Sequence, residues 1–115
     1  MQLAAKVAIV VVGILHLAFL VLEMFLWTKP TGRRIFGLTQ ELANASAPLA
    51  MNQGLYNGFL AAGCFWSLYA GENAQIFFLV CVIVAGVFGA LTAKKTILFV
   101  QALPGAIALA LVLGA

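Results

Sequence analysis

Long apolar runs, separated by basic and turn-forming residues, are the feature that most constrains how this chain can fold. Four such runs cover residues 3–27, 48–70, 76–92 and 96–114. A helix needs about 20 mainly apolar residues to cross the roughly 30 Å hydrocarbon core of a bilayer, because it rises about 1.5 Å per residue. The pattern therefore predicts four transmembrane α-helices.

The composition indicates that lipid, rather than water, is the main solvent of this chain. Apolar residues make up 65% of its 115 residues and charged residues only 8%, which leaves too little polar surface for a water-soluble globule. We predict one integral membrane domain over residues 1–115. The first apolar run contains His16 and Glu23 and is longer than the apolar core of a signal peptide, so we expect it to remain as the first helix.

The links between the runs predict the arrangement of the helices. Residues 29–32 stop the first helix, Pro48 suits the first turn of the second, and residues 71–73 form a tight hairpin. Residues 28–47 mix apolar and charged side chains, which favours a short helix in the headgroup layer with Thr39 as an N-cap. The predicted fold class is all-α: an antiparallel four-transmembrane-helix bundle with a short interfacial segment between helices one and two.

The basic residues predict the orientation of this bundle. An even number of spans places both termini on one face, where Lys6 is the basic side chain. The opposite face receives the remaining basic residues, which are Lys29, Arg33, Arg34, Lys94 and Lys95. The positive-inside rule assigns that face to the cytoplasm, so we expect both termini outside the cytoplasm, in a cell (inner) membrane. Basic residues at the ends of apolar runs indicate topology, and not a surface for nucleic acid.

Polar side chains inside the apolar runs mark a candidate site, because such groups are costly in lipid and face a partner or a cavity. Three runs contribute them at a similar depth in the cytoplasmic half. His16 lies deeper, on the same face of the first helix as Glu23 and about 10 Å from it along the axis, so water or a ligand must connect the two. The residues at the shared depth are Glu23, Asn52, Gln53, Tyr56, Asn57 and Gln101.

Together these residues predict a polar pocket, open toward the cytoplasmic leaflet, for an amphipathic or lipid-like small molecule. Arg33 and Arg34 are the candidates for contact with a headgroup or phosphate. The candidate ligand-binding residues are Trp27, Asn52, Gln53, Tyr56, Asn57 and Gln101.

Three other hypotheses remain open at this point. In an isomerase or epimerase, His16 and Glu23 would be the catalytic residues and would shuttle a proton. In a proton-coupled transporter or transport subunit, the same two groups would form a relay. In a structural or assembly subunit, the intramembrane amides would only bond helices to one another.

The remaining patterns concern packing and exclude several classes of enzyme. Small residues at Gly54, Gly58 and Ala62, and again over residues 85–93, let helices approach closely and would also allow a homo-oligomer. Cys64 and Cys81 lie inside apolar runs without metal-like spacing, and we interpret them as small core residues. No nucleotide-binding loop, zinc ligand set or nucleophile triad is found in the sequence, so we predict no metal and no cofactor.

Two blocks of the sequence resemble a known family: HLAFLVLEMFLWTKPTGRRIFGLTQE, residues 16–41, and MNQGLYNGFLAAGCFWSL, residues 51–68. They are similar to small four-helix bacterial integral membrane proteins that are known as a domain of unknown function and are sometimes loosely labelled epimerases. The resemblance implies the fold and the membrane location, and it adds no established substrate. A likeness of architecture alone links the chain to the sterol-isomerase-like membrane domain, in which acidic and histidine residues move protons within a lipid-like substrate.

Overall fold

The computed structural model describes residues 2–115, and over these residues the secondary structure is helical, without β-strands. The all-α prediction is therefore confirmed. The helices are, in chain order, α1 (Gln2–Met24), α2 (Pro30–Phe36), α3 (Gln40–Ala70), α4 (Glu72–Thr92), a π-helical segment (Leu98–Ala102) and α5 (Leu103–Gly114).

The chain divides into two compact units. The first unit combines the start of α1, up to Leu15, with residues 60–115, and the second unit is His16–Phe59. The core of the first unit is a cluster of buried apolar side chains from α1, α3, α4 and α5, with Ile9, Cys64, Leu79, Val82 and Ala108 fully enclosed. The interpretation of Cys64 as a small core residue agrees with this burial.

Two helices, α1 and α4, are long and apolar enough to cross a membrane, judged by length and composition. A third apolar helical stretch, Leu98–Gly114, is shorter. The first helix ends at Met24, before the expected Trp27. The α-helical pattern is lost where the Leu26 amide bonds five residues back, to the Val21 carbonyl, at 3.2 Å. Further along, Lys29 precedes Pro30 and adopts an extended backbone (φ −85°, ψ 160°), as the residue before a proline usually does.

The start of α3 differs from the prediction. Pro48 was expected in the first turn of this helix, but the helix begins at Gln40 and continues through Pro48. The Thr39 hydroxyl caps it by accepting a hydrogen bond from the Leu42 amide at 3.1 Å, which satisfies one of the amides left free at a helix start. Thr39 is thus an N-cap as predicted, but the helix that it caps is α3, so the separate short helix expected to start at Thr39 is absent. A short helix, α2, lies before Thr39 instead.

Glycine and proline determine the remaining boundaries. Gly71 joins α3 to α4 with φ at +106°, a conformation that favours glycine, and the predicted tight hairpin is confirmed. Pro104 has no amide hydrogen to donate one turn back. Just before it, the chain forms the π-helical segment, in which the Leu103 amide bonds to the Leu98 carbonyl.

The small residues of α4 serve as a packing surface in the first unit. A side-chain carbon added at Gly86 would lie 2.5 Å from the backbone nitrogen of Ala102, and one at Gly89 would lie 3.1 Å from Ile97. The π-helical segment can therefore approach the backbone of α4 closely. This confirms that part of the small-residue stripe over residues 85–93 acts in helix packing.

Candidate functional site

The centre of the candidate site is a hydrogen bond between α1 and α3 in the second unit. The side-chain amide of Asn57 donates to Oε1 of Glu23. Asn57 is buried, with 5% of its surface exposed, and Glu23 is half-buried. Glu23 is therefore bonded to one of the candidate amides of the second apolar run.

Two glycines of α3 allow this pair to form. A side-chain carbon added at Gly54 would lie 2.5 Å from Cγ of Met24, and one at Gly58 would lie 2.8 Å from Leu20. The backbone of α3 consequently comes close to the last turns of α1, and Asn57, between the two glycines on that face, reaches Glu23. Ala62, the third member of the predicted strip, is exposed.

The other predicted polar residues of α3 lie at the surface. Asn52, Gln53 and Tyr56 are all exposed, and the Asn52 amide donates to the Tyr56 hydroxyl at 3.4 Å. The Tyr56 ring lies 6.2 Å from that of Phe59, measured between centroids. Of the four polar residues predicted in this stretch, Asn57 is thus the one that bonds to Glu23.

His16 is enclosed rather than open. It exposes 1% of its surface, and its ring meets the edge of Phe19 at a centroid distance of 5.2 Å. In the described part of the chain, no buried side-chain nitrogen or oxygen lacks a hydrogen-bond partner. Two cavities at the surface of the first unit are lined by neither His16 nor Glu23, so neither of them is the predicted cavity that connects these two residues.

The segment between α1 and α3 is held by side-chain hydrogen bonds. The Trp27 indole donates to the Ser46 hydroxyl at 3.0 Å and packs on Phe36 at 4.7 Å between centroids. The Arg33 Nε donates to the Thr28 carbonyl at 3.2 Å. Trp27 therefore fastens α2 to the start of α3, and Arg33 helps to hold the loop.

The two predicted headgroup residues differ in their surroundings. Arg34 is exposed, whereas Arg33 is half-buried and uses its Nε within the loop. Arg34 is therefore the more available of the two for a phosphate. Gln101, predicted to share this site, lies in the π-helical segment and belongs to the first unit.

Gly32 makes a close backbone contact that the sequence pattern did not reveal. A side-chain carbon added there would lie 1.8 Å from the carbonyl oxygen of Leu26, so any other residue requires the backbone to move. The sequence predicted Gly32 only as part of the turn over residues 29–32, and a glycine in a turn usually indicates a backbone angle, not a contact. Within residues 2–115, no three His, Cys, Asp or Glu side chains are grouped as metal ligands would be.

Comparisons with known proteins agree on the family and name no activity. The model of the DUF1304 family, described as a protein of unknown function, matches residues 10–113. The uncharacterized protein YpaA of Lactococcus lactis subsp. lactis (strain IL1403) is 30% identical over 86 residues, which cover 70% of this chain and 71% of that protein. No solved structure gives a significant match.

Proposed function

The chain belongs to the DUF1304 family of unknown function, and we propose that it is a multi-pass membrane protein that binds an amphipathic small molecule at Glu23 and Asn57. The observation that carries this proposal is the carboxylate–amide hydrogen bond between two closely packed, largely apolar helices. Residues 1–115 form one integral membrane domain in this proposal.

The surface of the helices supports a location in lipid. Only 22% of the most apolar window of α1 and 17% of that of α4 are buried within the protein. Large apolar side chains on both helices are exposed, including Leu3, Val11, Phe77 and Phe88. Such a surface would be costly in water, since monomeric soluble proteins rarely expose large contiguous apolar patches.

The two other spans in this proposal are α3 and the stretch Leu98–Gly114. With 31 residues, α3 is about 46 Å long and exceeds the roughly 30 Å hydrocarbon core. Its first turns, which carry Gln40, Glu41 and Asn44, therefore extend into the headgroup layer or beyond it. The Trp27–Ser46 hydrogen bond attaches α2 to this part of α3.

The chemistry of the Glu23–Asn57 pair suits a polar head with a hydrogen-bond donor. Asn57 engages one carboxylate oxygen, and a carboxylate has a second oxygen that can accept from an amine or hydroxyl. In a medium of low dielectric such a charge-assisted bond is stronger than in water. Arg34 would add a contact for a phosphate on the cytoplasmic side. A ligand that extends around α3 from Glu23 would also contact the exposed side chains of Asn52, Gln53 and Tyr56.

Ligand binding is better supported than proton transfer between Glu23 and His16. An isomerase would need substrate to reach His16, and this side chain is enclosed. A proton-coupled transporter and a structural subunit would contain the same Glu23–Asn57 bond. They differ from the proposal because neither of them needs to retain a small molecule. The exposed Asn52–Tyr56 pair would suit a second copy of the chain.

We expect Glu23→Gln to abolish the retention of a co-purified ligand while the protein stays folded, because glutamine keeps the shape and removes the charge. Native mass spectrometry of the full chain in a mild detergent measures this, with Glu41→Gln as the matched control on an exposed glutamate. A structural subunit would retain no molecule in the wild type. Equal retention in the wild type and Glu23→Gln would exclude Glu23 from the site.

A further inference from the structure

A cavity of the first unit lies where α1 begins, α3 is followed by α4, and α5 ends. It has a volume of about 280 Å³, and its lining includes the start of α1, the Gly71 turn between α3 and α4, and the end of α5. The helices α1 and α4 both begin at this cavity, at Gln2 and Glu72. None of its lining residues belongs to the site around Glu23.

The walls of this cavity carry charges of opposite sign on different helices. Lys6 stands on α1 and Glu72 on α4, and both are exposed at the cavity. Gln75 is held in place, because its amide donates to the Ser67 carbonyl at 3.3 Å. The floor is apolar and includes Ala5 and Val112 of the core cluster.

We infer that this cavity binds a zwitterionic headgroup that carries a primary ammonium and a phosphate, as in phosphatidylethanolamine. Lys6 would pair with the phosphate and Glu72 with the ammonium, which can donate hydrogen bonds to a carboxylate. The volume of the cavity is at the lower limit of the range for ligand pockets, which suits a headgroup better than a whole lipid. Because apolar helices begin here, the cavity would lie at headgroup depth in a membrane.

This inference rests on the membrane location proposed above and not on the Glu23 site. A choline headgroup has the same phosphate, but its methylated ammonium has no hydrogen to donate to Glu72. A glycerol headgroup has the phosphate without a cation. Lipids with these three headgroups therefore separate the role of Glu72 from that of Lys6.

The experiment is native mass spectrometry of the full chain in mild detergent, titrated with dioctanoyl phosphatidylethanolamine, phosphatidylcholine or phosphatidylglycerol. We expect phosphatidylethanolamine to bind about tenfold more tightly than phosphatidylcholine, since one charge-assisted hydrogen bond is lost. Glu72→Gln should remove this preference, Lys6→Gln should weaken the binding of all three lipids, and Glu41→Gln should change nothing.

Water-soluble glycerophosphoethanolamine, added as a competitor, identifies the source of the headgroup. Competition at a concentration similar to that of the lipid indicates a soluble zwitterion, and much weaker competition indicates the lipid itself; both outcomes support the assigned chemistry. Equal affinity for the three lipids, a preference for phosphatidylglycerol, or an unchanged preference in Glu72→Gln would overturn it. Because Glu23→Gln and Glu72→Gln test different sites, either proposal can fail alone.

Discussion

Single residues in this protein are constrained by contacts that their sequence neighbours do not reveal, and Gly32 is the clearest case. The space for its side chain is occupied by the Leu26 carbonyl. We expect Gly32→Ala to destabilise the protein by about 1–3 kcal/mol, because the backbone must move to admit the methyl group. Thr31→Ala, at the exposed neighbouring position, should change stability by less than about 0.5 kcal/mol. Melting temperatures in mild detergent measure both variants, and equal values would mean that Gly32 does not pack on Leu26.

At the scale of helices, the contact between α1 and α3 depends on small residues on one face of α3. We expect Gly58→Leu to separate the two helices, because Leu20 already occupies the space that the new side chain needs. The loss should be about 1–3 kcal/mol by overpacking. Ala62→Leu makes a similar change at an exposed position four residues later and should melt like the wild type. If both variants melt at the same temperature, Gly58 does not form the contact.

The sequence predicted some helix boundaries better than others, for physical reasons. The Gly71 turn was predictable, because two apolar runs are separated by a short polar link that includes the glycine. The start of α3 was not, because Pro48 resembles a first-turn proline while the Thr39 cap lies further upstream. In the site, the sequence identified Glu23 because a carboxylate inside an apolar run is energetically costly in lipid. It could not identify Asn57 as the partner of Glu23, because that depends on which face of α3 packs against α1, and Gly54 and Gly58 determine this face.

For the whole molecule, the number of membrane crossings decides how the two candidate sites relate to the cell. Four crossings place the α1–α3 loop and the α4–α5 loop on one side and the Gly71 turn on the other. If only the two helices with the clearest length and composition cross, the α1–α3 loop and the Gly71 turn share a side instead. The exposed positions Ala45, Asn73 and Ala93 therefore distinguish the two topologies.

We expect four crossings, with the α1–α3 and α4–α5 loops in the cytoplasm, because these loops carry the basic residues Lys29, Arg34 and Lys94 among others. Cysteines introduced at Ala45, Asn73 and Ala93, in a Cys64→Ala, Cys81→Ala background, can be labelled with a membrane-impermeant maleimide on intact cells. Only the cysteine at position 73 should react before permeabilisation. Reaction at 45 and 93 alone would reverse the orientation and place the Glu23 site in the outer half. Equal behaviour of 45 and 73, opposite to 93, would reduce the crossings to two, and α3 would then need another partner to cover its apolar surface.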